Sequence, residues 1–154
     1  MIIKQLPISV SAAQKSDVRT QFAALCYRIK AGKVQVLMIT SRGSGRWILP
    51  KGWPMDGKTP AALAELEAWE EAGVIGTSDG RCLGVYSYVK ATGGVGDLPC
   101  LAMVYAVEVR ELAKDYPEKG QRKRKWMSRK RAAKEVEAPE LARILRDFDP
   151  RLIR

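Results

Sequence analysis

A chain of 154 residues, 46% of them hydrophobic and 29% charged, has the length for one domain with a single core. That apolar content excludes a disordered chain, and no apolar run approaches the ~18 residues that cross a bilayer. Lys and Arg number 27 against 17 Asp and Glu, and the net charge of +10 calls for an anionic partner: nucleic acid, a membrane surface or a small polyphosphate.

Residues 1–17 show no clear period and are expected to form an arm or a first edge strand. Residues 21–29 and 34–40 are apolar and rich in β-formers, and Ala31-Gly32 between them signals a hairpin turn. Ser41-Arg42-Gly43-Ser44-Gly45-Arg46 is a polar loop. Trp47-Ile48-Leu49 is a very short strand stopped by Pro50, and a loop with Gly52, Pro54 and Gly57 follows. The clearest element is a helix over residues 60–72: Thr59 is a good N-cap, Pro60 suits the first position and Gly73 closes the end. Strands are expected near 82–89 and 98–109, separated by Ala91-Thr92-Gly93-Gly94-Val95-Gly96. Lys125-Trp126-Met127 reads as a final short strand, Ser128 caps a helix to about residue 136, and residues 140–148 form a last amphipathic helix. The alternation predicts a mixed sheet with helices in one domain, residues 1–154.

Residue types narrow the chemistry further. Cys26, Cys82 and Cys100 all sit in apolar runs, which predicts core thiols in a reduced, cytoplasmic protein. The first ten residues lack the features of a signal peptide. Histidine is absent, so Ser-His and Cys-His nucleophiles and imidazole zinc sites are excluded. Charge is strongly partitioned. Residues 119–131 hold eight bases and no acid, whereas five acids face one base across residues 56–71. An anion site and a cation site in one chain suit metal-assisted chemistry on phosphates.

The acids lie on the helix. At about 100° per residue, with Glu67 as origin, Glu70 falls at about 300° and Glu71 at about 40°, so the three share a face. Ala62, Trp69 and Ala72 fall between about 140° and 220°, opposite them, and Glu65 lies among these apolar positions. Like charges at this spacing repel, and a divalent cation offsets the repulsion. Oxygen ligands without His or Cys point to Mg²⁺, or to Mn²⁺. A solvated acidic helix face is the plainer alternative.

The loop before the helix favours the cation. Gly52-Trp53-Pro54-Met55-Asp56-Gly57-Lys58-Thr59-Pro60 runs into the helix, and Glu67-Ala68-Trp69-Glu70-Glu71-Ala72-Gly73-Val74 ends it. The combination resembles the Nudix box, G-x5-E-x7-R-E-u-x-E-E-x-G-u with u aliphatic. Gly52, Glu67, Glu70, Glu71, Gly73 and Val74 fall in register, while Lys58 stands at the first Glu and Leu66 at the Arg. Phe22 to Arg28, Ser41-Arg42, Arg46-Trp47-Ile48 and Arg122-Lys123-Arg124-Lys125-Trp126 further resemble the diphosphoinositol polyphosphate phosphohydrolase branch.

The resemblance implies an α+β fold, an α/β/α sandwich on a mixed β-sheet, and Mg²⁺-dependent hydrolysis of a phosphoanhydride. It implies that Gly52, Glu67, Glu70 and Glu71 hold metal, and that Glu70 acts as the base with Glu67 as a second catalytic carboxylate. Arg19, Ser41, Arg42, Lys51 and Lys123 are the candidates to grip substrate phosphates. The substrate would be of the diphosphoinositol polyphosphate or diadenosine polyphosphate type. The departures at Lys58 and Leu66 favour the alternative of a weakened domain that binds polyphosphate without turnover. Asp97, Asp115 and Glu118 are all available as an acid outside the box. Trp53 is open between core and stacking roles, and Trp126 is expected in the core. The 119–131 run holds one aromatic and no nucleic-acid motif, which argues against nucleic acid; monomer and homodimer are both compatible.

Overall fold

Strands β1 (Thr20–Lys30) and β7 (Leu98–Leu112) run parallel through the middle of an eight-stranded sheet. The computed structural model describes residues 5–7, 19–90 and 98–152. The expected arm over residues 1–17 therefore lies outside the described residues except at Gln5–Pro7 and, like it, the 91–96 segment and Asp97 fall outside. The other strands are β2 (Lys33–Thr40), β3 (Trp47–Ile48), β4 (Lys51–Gly52), β5 (Val74–Thr77), β6 (Cys82–Lys90) and β8 (Arg124–Ser128). Their order is β3-β2-β1-β7-β5, with β4 added on β1, β6 on β7 and β8 on β2, all antiparallel. The β1–β2 hairpin closes through Ala31 and Gly32, both with positive φ, as a tight twisted turn requires.

Period-2 alternation sorts side chains onto two cores. Phe22, Ala24 and Cys26 of β1, Leu37 and Ile39 of β2, and Tyr105 and Val107 of β7 face helix α1 (Pro60–Ala72). Ala23 and Leu25, Val34, Val36 and Met38, and Ala102 and Val104 face the other way, toward α2 (Arg129–Glu135) and α3 (Pro139–Asp147). The result is the expected sandwich on a mixed sheet. Two elements were not foreseen, β4 and β5. Both are short and contain a glycine, so their pairing comes from the edges of β1 and β7 rather than from their own pattern.

Helix α1 starts and stops as its sequence requires. The Thr59 side chain accepts from Ala62 N–H at 3.1 Å, and Gly73 takes the left-handed conformation at φ 67°. Arg124 reaches across to cap the far end, donating to Ala72 O at 2.8 Å and Ala113 O at 2.9 Å. Gln5 holds the near end by accepting from Ala61 N–H at 3.1 Å.

The helix is rotated from the expected orientation. Its buried residues are Leu63, Ala64, Ala68, Glu71 and Ala72, an arc from about 320° through about 140° centred near Glu71. Ala62 and Trp69 are only half-buried. The methyl side chains of Ala64 and Ala68 let the helix lie close to the sheet, and this turns the acidic face inward. Glu65, out of place among apolar positions, accepts from Ser78 N–H at 2.8 Å and pins the turn after β5. Cys26 and Cys100 are buried as expected, but Cys82 is exposed, at the bulge that opens β6.

Gly73 tests this account of the helix end. A Cβ there would meet Tyr116 Cδ1 at 2.5 Å and Arg124 Nη1 at 2.8 Å, besides occupying a left-handed conformation. Gly73→Ala is expected to destabilise by about 2 kcal/mol or more, lowering the melting temperature by roughly 4–8 °C in circular-dichroism unfolding. A shift under about 1 °C would mean the C-cap contributes little.

Candidate active site

Strand β4 places Gly52 opposite Phe22 and Lys51 opposite Ala23 of β1, and α1 then crosses above it. A Cβ built on Gly52 would fall onto the Glu67 carboxylate, so glycine is what lets that side chain settle on the strand backbone. Glu71, one turn on, is 6% exposed and hydrogen-bonds Glu67. Burial, the hydrogen bond to Glu71, and the negative charges of Glu71, Glu70 and Glu118 push the Glu67 carboxyl up to about 9. Burial raises Glu71 too, opposed by the Glu67 hydrogen bond and by the positive charges of Arg122 and Lys51.

Arg122 is the cation closest to this pair. Its Nη2 lies 3.7 Å from Glu71 Oε1, its Nε donates to Glu118 Oε1 at 3.0 Å, and its Nη1 donates to Thr40 O at 3.1 Å. One guanidinium thus ties together the helix, the segment before β8 and the end of β2. Its side chain is 9% exposed, which makes these contacts far stronger than surface ion pairs.

A cavity of about 1070 Å³ opens beside these groups. Glu67, Glu71, Glu118 and Gly52 contribute to its wall, and Arg42, Arg46, Lys51, Lys90 and Arg122 supply positive charge around it. Lys51 lies over the Tyr88 ring at 4.9 Å, and its ammonium is driven down to about 8, by burial first and also by Arg122 and Lys90. Lys90 sits 4.9 Å from the Trp53 ring at the same cavity. Trp53 is thereby a cavity residue, while Trp126 packs against the α1-side core with Arg28 4.2 Å from its ring.

Among the expected site residues, Gly52, Glu67, Glu71, Ser41, Arg42 and Lys51 come together on this lining. Glu70 does not: it is half-buried at the margin of the arc, and two carboxylates rather than three converge. Arg19 is exposed and lines a separate cavity of about 510 Å³. Lys123 is exposed and off the lining, because alternation through residues 122–126 turns Arg122, Arg124 and Trp126 inward and Lys123 and Lys125 outward. Of the acids left open outside the box, Asp115 is exposed and pairs with Lys119 at 2.9 Å, whereas Glu118 is on the lining. Arg122, Arg46, Lys90, Gln21 and Tyr86 are cavity residues that sequence reasoning did not single out. Strand period alone would have shown that Arg122 and Lys123 face opposite ways.

The groups present fit a divalent cation. Buried Glu71 and half-buried Glu67, each pushed toward its neutral form, lie beside a backbone approach open only to glycine, and every donor is oxygen. Among the described residues no three acidic, Cys or His side chains form a metal cluster.

Comparison with known proteins agrees with the geometry. The NUDIX domain family model matches residues 19–148. Nudix hydrolase 12, mitochondrial, of Arabidopsis thaliana is 33% identical over 119 residues, covering 75% of this chain and 59% of that protein. Human diphosphoinositol polyphosphate phosphohydrolase 3-beta is 35% identical over 106 residues, covering 68% of this chain and 60% of the relative. The chain thus spans about three fifths of these relatives' own length. Among solved structures, a C. elegans Ap4A hydrolase in a binary complex superposes with a TM-score of 0.64 at 22% identity, over 88% of this chain and 98% of its own. That likeness concerns the fold. With the family model covering most of its length, the chain belongs to the NUDIX domain family, and the relatives just named are hydrolases.

Proposed function

We propose that this chain is a Mg²⁺-dependent hydrolase, with Mn²⁺ as a substitute, that cleaves a phosphoanhydride bond in a highly phosphorylated small molecule. The substrate is of the diphosphoinositol polyphosphate or diadenosine polyphosphate type. One observation carries the reading: Glu67 lies over Gly52 and hydrogen-bonds Glu71 on the wall of a cavity ringed by Arg42, Arg46, Lys51, Lys90 and Arg122. Carboxylates that hold a cation and bases that hold phosphates then face the same space.

Glu67, Glu71 and the Gly52 carbonyl would hold the cation. When bound, it supplies Lewis-acid polarisation of the phosphoryl oxygens and neutralises the leaving phosphate. Lys51 and Arg42 bind and orient the substrate phosphates, and Ser41 shapes the loop by accepting from Arg46 N–H at 3.0 Å. Glu70 takes the proton from the attacking water. Glu118 is a second reading for that role, because it lies on the cavity wall and Glu70 lies at its edge. Arg19 and Lys123, away from the lining, act as outer phosphate contacts.

The alternative of a binding module without turnover rests on Lys58 and Leu66. The buried Arg122–Glu71 contact weighs against it, since the carboxylates keep an orienting cation. Free thiols at Cys26, Cys82 and Cys100 support a reducing, cytoplasmic setting.

The test is phosphate or nucleotide release with Mg²⁺ from an inositol pyrophosphate, diadenosine polyphosphates, ADP-ribose and a nucleoside triphosphate. Turnover of at least one is expected. Glu70→Gln should lower kcat on the order of 10²–10⁴-fold, and Glu118→Gln should have the smaller effect. The reverse ranking would move the base to Glu118. Absence of all turnover with polyphosphate binding intact would leave the binding module.

The carboxylate pair also makes a stability prediction. Two acids forced together weaken the metal-free fold, and a cation binding only the folded state strengthens it. Glu67→Gln should therefore raise the melting temperature without metal by a few degrees and abolish the increase that Mg²⁺ gives the unaltered protein. Equal Mg²⁺ responses in both proteins, read by thermal unfolding, would remove Glu67 from the metal site.

A further inference from the structure

Among the described residues, two of the cavity cations are paired with carboxylates, Arg122 and Arg46. Arg122 serves the acids beside the candidate metal site, Glu71 and Glu118. Arg46 donates through Nη1 to Glu137 Oε2 at 2.8 Å, and nothing described so far uses this contact. Both partners line the cavity, Arg46 from the loop after β2 and Glu137 from the connection between α2 and α3. Glu137 is the one lining acid outside the group of Glu67, Glu71 and Glu118.

Hydrogen bonds within the loop aim the guanidinium. Ser41 N–H donates to Arg46 O at 2.7 Å, Gly45 N–H to Ser41 O at 3.1 Å, and Arg46 N–H to Ser41 Oγ at 3.0 Å. Arg46 Nε donates to Ser44 Oγ at 3.2 Å, and the Ser44 and Ser41 hydroxyls hydrogen-bond each other. Arg46 thus projects from a braced turn. Glu137 is held less firmly: its side chain is 71% exposed, and the ion pair joins it to the loop.

A carboxylate presents to a guanidinium the same pair of anionic oxygens that a phosphate presents. Glu137 therefore fills the place on Arg46 that a ligand phosphate would take. Exposed ion pairs add little stability, and a released Glu137 returns to water. A phosphate carries more negative charge than a carboxylate and meets the other cavity cations as well, so it wins the guanidinium. We propose that Glu137 is an internal competitor of the substrate: its carboxylate occupies Arg46 in the free protein, a substrate phosphate displaces it, and Arg46 then serves as a further phosphate-binding residue. This rests on the phosphoanhydride reading above and sets the affinity of the site assigned there.

Calorimetric titration with bis(methylene)triphosphonate in Mg²⁺ at about 0.15 M salt tests it. The probe carries phosphoryl groups alone and has no anhydride to lose. Glu137→Gln should tighten binding about two- to fivefold, the worth of an exposed ion pair that no longer has to open. Arg46→Met should weaken binding about fivefold or more. Glu137→Gln added to Arg46→Met should then change affinity by less than about 1.5-fold, because the competition has lost its object. Both side chains are exposed, so neither change threatens the core. A gain from Glu137→Gln that persists at full size beside Arg46→Met is plain charge repulsion and overturns the proposal. Unchanged or weaker binding by Glu137→Gln alone overturns it too, as does an Arg46→Met variant that binds as tightly as the unaltered protein. Failure of the unaltered protein to bind the probe overturns the phosphoanhydride reading, and the competition with it.

Discussion

Setting two carboxylates side by side against the sheet, Glu71 buried and Glu67 half-buried, is the constraint on which the rest of this structure depends. Glu67 and Glu71 lie on the inward arc of α1, where apolar side chains would stabilise the fold more, and Ala64 and Ala68 bring the helix close enough to set them there. Burial drives both acids toward their neutral forms, and their hydrogen bond adds to the effect at Glu67 while opposing it at Glu71. Neighbouring features limit the penalty. Gly52 removes the side chain that would occupy the carboxylate's place, and Arg122 sets a guanidinium against Glu71 and Glu118. Arg124 and Gln5 fix the two helix ends, so the arc cannot rotate out toward water.

The net charge of +10 divides along the same geometry. Strand period sends Arg122 and Arg124 inward, where each makes directed hydrogen bonds, and leaves Lys123 and Lys125 in solvent. Arginine occupies the inward places because its fork can serve several acceptors at once: Arg122 reaches Glu71, Glu118 and Thr40 O together. Lysine's role at the cavity is different. Lys51 is packed on Tyr88 and partly stripped of water, so an anion approaching it would displace little hydration. The basic run that composition brings forward first is mostly a solvated face, and the charge at the cavity comes from its Arg122 together with Lys51 of β4, Lys90 of β6 and Arg42 and Arg46 of the loop after β2.

Much of this was legible in the chain. Both strands of the hairpin, the caps of α1 at Thr59 and Gly73, and the Ser128 cap of α2 follow from local rules and stand where those rules put them. Glycine and glutamate spacing located the Gly52–Glu67–Glu71 cluster. The rest depended on tertiary partners. β4 and β5 have too few residues to show a period and exist because β1 and β7 offer unpaired edges. The rotation of α1 was hidden because a helical wheel ranks faces by polarity, and here the buried face contains the acids. Glu65 looked anomalous for the same reason: its partner is the backbone of Ser78, thirteen residues away.

Leu66 shows how far a local pattern departure can mislead. In the motif this helix resembles, an arginine stands there, next to the first carboxylate of the set. In this chain the cation beside the carboxylates comes from Arg122, on a segment held to β2 by Lys123 N–H donating to Thr40 Oγ1 at 2.9 Å and Thr40 N–H donating to Lys123 O at 3.0 Å. A charge supplied from outside the helix constrains more than one supplied from within it. It makes the orientation of Glu71 depend on the docking of the segment before β8, and the same guanidinium fixes Glu118. The electrostatics of the cavity wall are then a property of the assembled sandwich, and loosening the β2–β8 edge would disturb the carboxylates without touching α1.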